Sequence, residues 1–166
     1  MYFSQLDMLW TIFSKVPNAT SYIRGSEKYP LIKGIAQFYQ LFHGVLVVVE
    51  VMGLPYWKES CHGGIHALHI HEGEACSGNG TDPFANAKMH YNPANCGHPF
   101  HAGDLPSLFA NQGYAMSVFY TERFQVNEIL GKTVIVHEKS DDFVSQPSGN
   151  AGEKIACGVI VPIMLD

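Results

Sequence analysis

The sequence predicts an all-β fold, an antiparallel sandwich or barrel. Its apolar stretches are short and rich in β-branched residues, as in Gly44 to Leu54 (GVLVVVEVMGL) and Thr133 to His137 (TVIVH), which favours strands over helices. Gly, Pro and Asn break these stretches apart repeatedly, and no segment carries the 3.6-residue apolar period over the length of a full helix. Many short strands separated by turns are the pattern of sandwiches and barrels.

In chain order, residues 1–18 (MYFSQLDMLWTIFSKVPN) form an N-terminal extension to a single domain covering 19–166. The extension carries Asp7, has no basic opening and no clear cleavage site, and so does not read as a signal peptide. It is expected either to dock as a short amphipathic helix or to stay disordered. Strands are expected at Ser21 to Gly25, Lys33 to Phe42 and Gly44 to Leu54, the last ended by Pro55. Gly63-Gly64 opens another at Ile65 to Glu72. From Gly73 to Pro106 the chain is rich in Gly, Asn, Pro, Cys and His and has little periodicity. A loop that long inside a compact domain usually serves a function. Tyr114 to Tyr120 is the next strand, Phe124 to Leu130 a helical turn closed by Gly131, and Thr133 to His137 a strand. Asp141 to Lys154 is a second irregular, polar loop, and Cys157 to Ile163 the final strand.

Composition narrows the function. Lys and Arg total 10 against 15 Asp and Glu, a net charge of -5, which leaves no basic patch for nucleic acid. The apolar runs fall far short of the roughly 20 residues of a spanning helix, so no membrane span is expected. The cysteines, Cys61, Cys76, Cys96 and Cys157, allow three full pairings. None sits in a C-x-x-C spacing, so disulfides are favoured over thiolate metal ligation.

Chemistry concentrates between His69 and Asp104. His69, His71, His90, His98 and His101 precede Asp104 there, and His137 ends an apolar run downstream. Imidazole is the commonest ligand for copper and zinc. Residues i and i+2 of a strand share a face, so His69 and His71 project together while Leu68 and Ile70 point to the other side.

The motifs HALHIHE, HYNP, HAGDLP, VIVHEKSDD and SGNAGEKIACGVI, in that order and spacing, resemble the copper/zinc superoxide dismutases, most closely a bacterial branch. The resemblance runs from about Ser21 to Ile160. It implies a Greek-key, immunoglobulin-like barrel or sandwich of roughly eight antiparallel strands with two long functional loops. It also implies copper on His69, His71, His90 and His137, and zinc on His90, His98, His101 and Asp104, with His90 bridging the metals. Three histidines and a carboxylate give zinc a closed tetrahedral site, hence a structural one. Asp141 matches a carboxylate that links His69 to His98. Cys76 and Cys157 match the family disulfide, which leaves Cys61 and Cys96 as a possible second pair. His66 matches a structural histidine, whereas His43 and His62 match nothing.

The implied activity is conversion of superoxide to oxygen and hydrogen peroxide, with copper cycling between Cu(II) and Cu(I) and His90 carrying a proton. The alternative is a dismutase-like zinc-binding or metal-handling protein with little turnover. Two departures from the family stand out. Only Pro99 and Phe100 separate His98 from His101, a short zinc loop. Lys154 stands where the family usually has an arginine beside the copper channel; it keeps the charge but loses the planar fork. Lys154, with Lys139, is expected to draw superoxide in against the negative net charge. Monomer and homodimer both remain open, and the compartment is expected to be cytoplasmic or cell-surface associated.

Overall fold

The computed structural model describes residues 15–56 and 64–164. Eight strands form one antiparallel sheet: β1 (Ala19–Gly25), β2 (Lys33–Gln40), β3 (Val45–Met52), β4 (Ile65–His71), β5 (Asp104–Phe109), β6 (Ala115–Thr121), β7 (Thr133–His137) and β8 (Lys154–Pro162). The order β5-β4-β7-β8-β1-β2-β3-β6 curls the sheet into a nearly closed barrel. β6 lies beside β3 and β7 beside β4, so the chain crosses the barrel ends in Greek-key fashion. A four-residue helix, α1 (Val126–Ile129), is closed by a capping box between Gln125 and Glu128.

The period of two expected for a half-buried strand is plain in β3. Val45, Val47, Val49 and Val51 are fully buried in the barrel core with Phe38 and Leu108. Leu46 and Val48 pack outside it against Tyr39. Leu68 and Ile70 of β4 enter the core, which leaves His69 and His71 for the other face. Ile135 of β7 instead meets Phe84, Ala87 and Cys157 in a separate buried cluster, where the loop after β4 lies on the barrel wall. The Cys76–Cys157 disulfide closes over this cluster, joining positions 81 residues apart.

Two elements differ from the sequence expectation. β5 falls at the end of the supposed loop, where Pro106 and the absence of alternation hid it. As an edge strand, β5 tolerates a proline with no ladder partner for its missing N–H. β8 starts at Lys154 rather than Cys157, because Ile155 and Ala156 are core residues behind a polar entry. Residues 1–14, which hold most of the extension, together with Cys61 and His62, lie outside the described residues, so the Cys61–Cys96 pairing is not described.

Candidate metal centre

Four of the histidines, His69, His71, His98 and His137, are held by their outward nitrogens. Asp141 is buried, and its carboxyl is held down to about 2. Burial alone would raise it; the His69 contact, the Phe143 N–H and the His98 contact overcome that. An ionised carboxylate only accepts, so Nε2–H of His69 donates to Oδ2 and Nε2–H of His98 donates to Oδ1, each at 2.8 Å. His71 Nδ1–H donates to the Lys88 carbonyl at 2.8 Å, and His137 Nδ1–H to the Gly152 carbonyl at 3.3 Å. Such bonds select the tautomer and aim the remaining lone pair.

The inward nitrogens form two groups. His69, His71, His90 and His137 make one; His90, His98, His101 and Asp104 make the other; within each, the ligand atoms lie within 4.8 Å of one another. All these residues are buried. His69 Nδ1, His90 Nε2 and His98 Nδ1 are buried without a hydrogen-bond partner, an arrangement that costs free energy unless something else binds them. His71 Nε2 faces His137 Nε2 at 3.3 Å, two lone pairs opposed once both Nδ1 atoms carry the proton. A shared cation resolves this conflict.

Three of the four spacings within the second group approach those of a zinc site, and the fourth, between His90 and Asp104, is a hydrogen-bond length. Ligands about 2.0 Å from a tetrahedral ion lie roughly 3.3 Å apart. His101 Nδ1 lies 3.4 Å from His90 Nδ1 and 3.2 Å from Asp104 Oδ1. His90 Nδ1 lies 2.7 Å from Asp104 Oδ1, and His98 Nδ1 3.1 Å from Asp104 Oδ2. The last contact lacks hydrogen-bond alignment, as expected for two ligands pointing at a common centre rather than at each other.

Charge favours ligation as well. Burial pushes His137 down to about 3, helped by His69 and His90. Burial also drives His71 well below its usual range and lowers His69, the latter against the pull of Asp141. Neutral imidazole is the metal-binding form. For Asp104, burial opposes ionisation but the three histidines around it prevail and lower its pKa.

The remaining predicted residues divide. His66 Nδ1 meets the His137 carbonyl at 3.0 Å and belongs to neither group. His43 is exposed. Lys154 is paired with His137 across β7 and β8, but its ammonium donates to Asp82 Oδ2 at 2.7 Å and to the Phe84 carbonyl at 3.2 Å. Three contributors escaped the sequence reading. Arg123 Nη1 donates to the carbonyls of Pro99, His101 and Asp104 at 3.0, 3.2 and 3.3 Å, tying down the short loop that carries three ligands of the second group. Gln146 clamps His98 from both sides of its backbone, accepting from its N–H and donating to its carbonyl. Gly149, at φ 65°, passes so close that a Cβ would strike Asp141 Oδ1 and come within 2.7 Å of His98 Nε2. Only the Gly-Asn step of SGNAG hinted at this left-handed turn.

A Greek-key barrel carrying two buried ligand groups that share one imidazole defines a class of binuclear metalloprotein. The chain belongs to the copper/zinc superoxide dismutase family: the family model described as copper/zinc superoxide dismutase (SODC) matches residues 32–160. It is 32% identical to superoxide dismutase (Cu-Zn) 2 of Aquifex aeolicus over 142 residues, 76% of this chain and 78% of that one. Over 145 residues it is 34% identical to superoxide dismutase (Cu-Zn) A of Xenopus laevis, 78% of this chain and 89% of the other. The Cu/Zn superoxide dismutase from Brucella abortus has a similar structure, with a TM-score of 0.70 at 25% identity, covering 85% of this chain and 98% of that chain. The two ligand groups fit copper and zinc respectively.

Proposed function

We infer that this chain is a superoxide dismutase that holds copper on His69, His71, His90 and His137 and zinc on His90, His98, His101 and Asp104. The observation that carries this reading is the place of His90, the one residue common to both groups. Copper, when bound, supplies the one-electron oxidation and reduction by which two superoxide ions become oxygen and hydrogen peroxide. A closed set of three histidines and a carboxylate suits a structural zinc.

The chain's own part is positioning and proton handling. His90 keeps Nδ1 among the zinc ligands, and its buried, unpartnered Nε2 takes up and returns one of the two protons that hydrogen peroxide needs, the other coming from water. Asp141 holds His69 and His98 in the tautomers that ligation requires. Lys154 and the exposed Lys139 place positive charge beside His137 and Gly152, close to the copper group. The Cys76–Cys157 bond keeps the first metal loop on the barrel and suits an oxidising compartment. Among the described residues no helix is long and apolar enough to cross a membrane.

Metal analysis and superoxide decay on one sample, before and after copper loading, test the reading. One copper and one zinc per chain with rapid decay support it. Stoichiometric zinc with no copper-dependent decay overturns it in favour of a zinc-binding relative with little turnover.

A further inference from the structure

We propose that Asp82 sets how strongly this protein attracts anions, by occupying the Lys154 ammonium with a carboxylate of its own chain. The proposal deepens the dismutase reading and rests on it. Lys154 opens β8 directly across from His137, the place for a steering charge. Its Nζ nevertheless lies 2.7 Å from Asp82 Oδ2, with the lysine side chain 16% exposed and the aspartate 38%.

This is not a wandering surface pair. Asp82 Oδ1 accepts from the Phe84 N–H at 3.0 Å, and the Phe84 carbonyl accepts from Lys154 at 3.2 Å. Phe84 is anchored in the buried cluster of Ile135 and Cys157. The carboxylate is thus fixed where an incoming anion would meet the ammonium. An ammonium has three donors; one goes to Phe84 and one to Asp82. Lys154 lines a cleft of about 810 Å³ together with residues 25–29, 78–81, Pro83 and Phe84. Lys28, also on that cleft, is likewise matched, by Glu153 at 2.8 Å. Of the two lysines assigned to steering, only Lys139 forms no ion pair among the described residues. In a chain of net charge -5, most of the local attraction is cancelled.

Asp82→Asn isolates the charge, because the amide oxygen still accepts from Phe84. The copper(I)/zinc protein is diamagnetic, so broadening of the backbone amides of Gly152 to Ile155 by an anionic nitroxide, relative to a neutral one, reads the local potential without turnover. In Asp82→Asn this ratio is expected to rise about threefold or more at low salt and to fall back near 0.15 M salt. Lys154→Gln added to Asp82→Asn should abolish the rise. The superoxide decay rate constant should increase roughly 3- to 10-fold at low ionic strength, with a steeper salt dependence. An unchanged ratio, or a raised ratio that survives Lys154→Gln, overturns the proposal. So does a raised ratio with an unchanged rate in an active protein, which would mean Lys154 does not guide the substrate. Absence of decay in every copper-loaded form would sink the dismutase reading instead, with the nitroxide ratio still deciding whether Asp82 masks Lys154.

Discussion

Replacing Asp141 separates a carboxylate that organises both metal sites from one that merely ties down a loop. Its side chain is fully buried between His69 and His98. Asp141→Ala leaves two buried imidazole N–H groups with no acceptor, and each such loss costs about 1–3 kcal/mol. The metal-free protein should therefore lose about 2–6 kcal/mol of unfolding stability, less whatever water entering the cavity recovers. Freed of their acceptor, the two rings can turn or change tautomer, and loss of such a partner typically weakens metal binding about 10- to 100-fold. Because one carboxylate serves a ring of each group, both affinities should fall. Asp141→Asn gives a sharper result. Its single oxygen accepts from one ring, while its NH₂ meets the N–H of the other, donor against donor. One metal should be retained nearly as well as in the parent and the other weakened as in the alanine variant. Competition with a zinc chelator and a copper(I) chelator, together with urea denaturation of the metal-free forms, measures each term. If both affinities stay within twofold of the parent while stability drops, the organising role is wrong and Asp141 serves only its loop.

Arg123→Ala should speed zinc release about 10-fold or more and leave copper(I) affinity unchanged, because its three acceptors all lie in the Pro99 to Asp104 segment; Arg123→Lys should restore part of the effect, and equal loss of both metals would refute it. Cys76→Ser with Cys157→Ser opens a connection spanning 81 residues, for which chain entropy gives about 4.5 kcal/mol; a urea-derived loss below about 1 kcal/mol would show that the loop is held without it. The metal-free protein should weaken in acid: His69, His71 and His137 have folded pKa values below 6.5, so the unfolded chain binds the extra protons and stability, full above pH 6.5, falls as pH drops. Each histidine contributes up to about 1.4 kcal/mol per pH unit below pH 6.5, and a melting temperature that is flat or rises from pH 7 to pH 5 would contradict it. Gly149→Ala should weaken zinc binding through displacement of Asp141 and His98, as seen in the same chelator assay.

What the sequence disclosed and what it withheld divide along a physical line. The ligand groups were legible because ligation is a matter of side-chain type at set spacings. His69 and His71 share a strand face by the period of two, and the imidazoles downstream have few other reasons to crowd so closely. Strands such as β3 and β7 were legible because an unbroken Val or Ile run has few other stable fates. The residues that escaped notice act through backbone. Arg123 finds carbonyl oxygens rather than a complementary side chain, and the Lys88 carbonyl that orients His71 could be any residue's. Gly149 matters for the Cβ it lacks. β5 escaped because an edge strand that includes Pro106 need not alternate. Asp82 shows the limit most sharply. A lysine at the family's arginine position reads as a steering charge, and only the folded loop reveals an acid, 72 positions earlier in the chain, already seated on it. Such a residue is found by asking of every functional charge what else lies within 3 Å, a question that one-dimensional spacing does not answer.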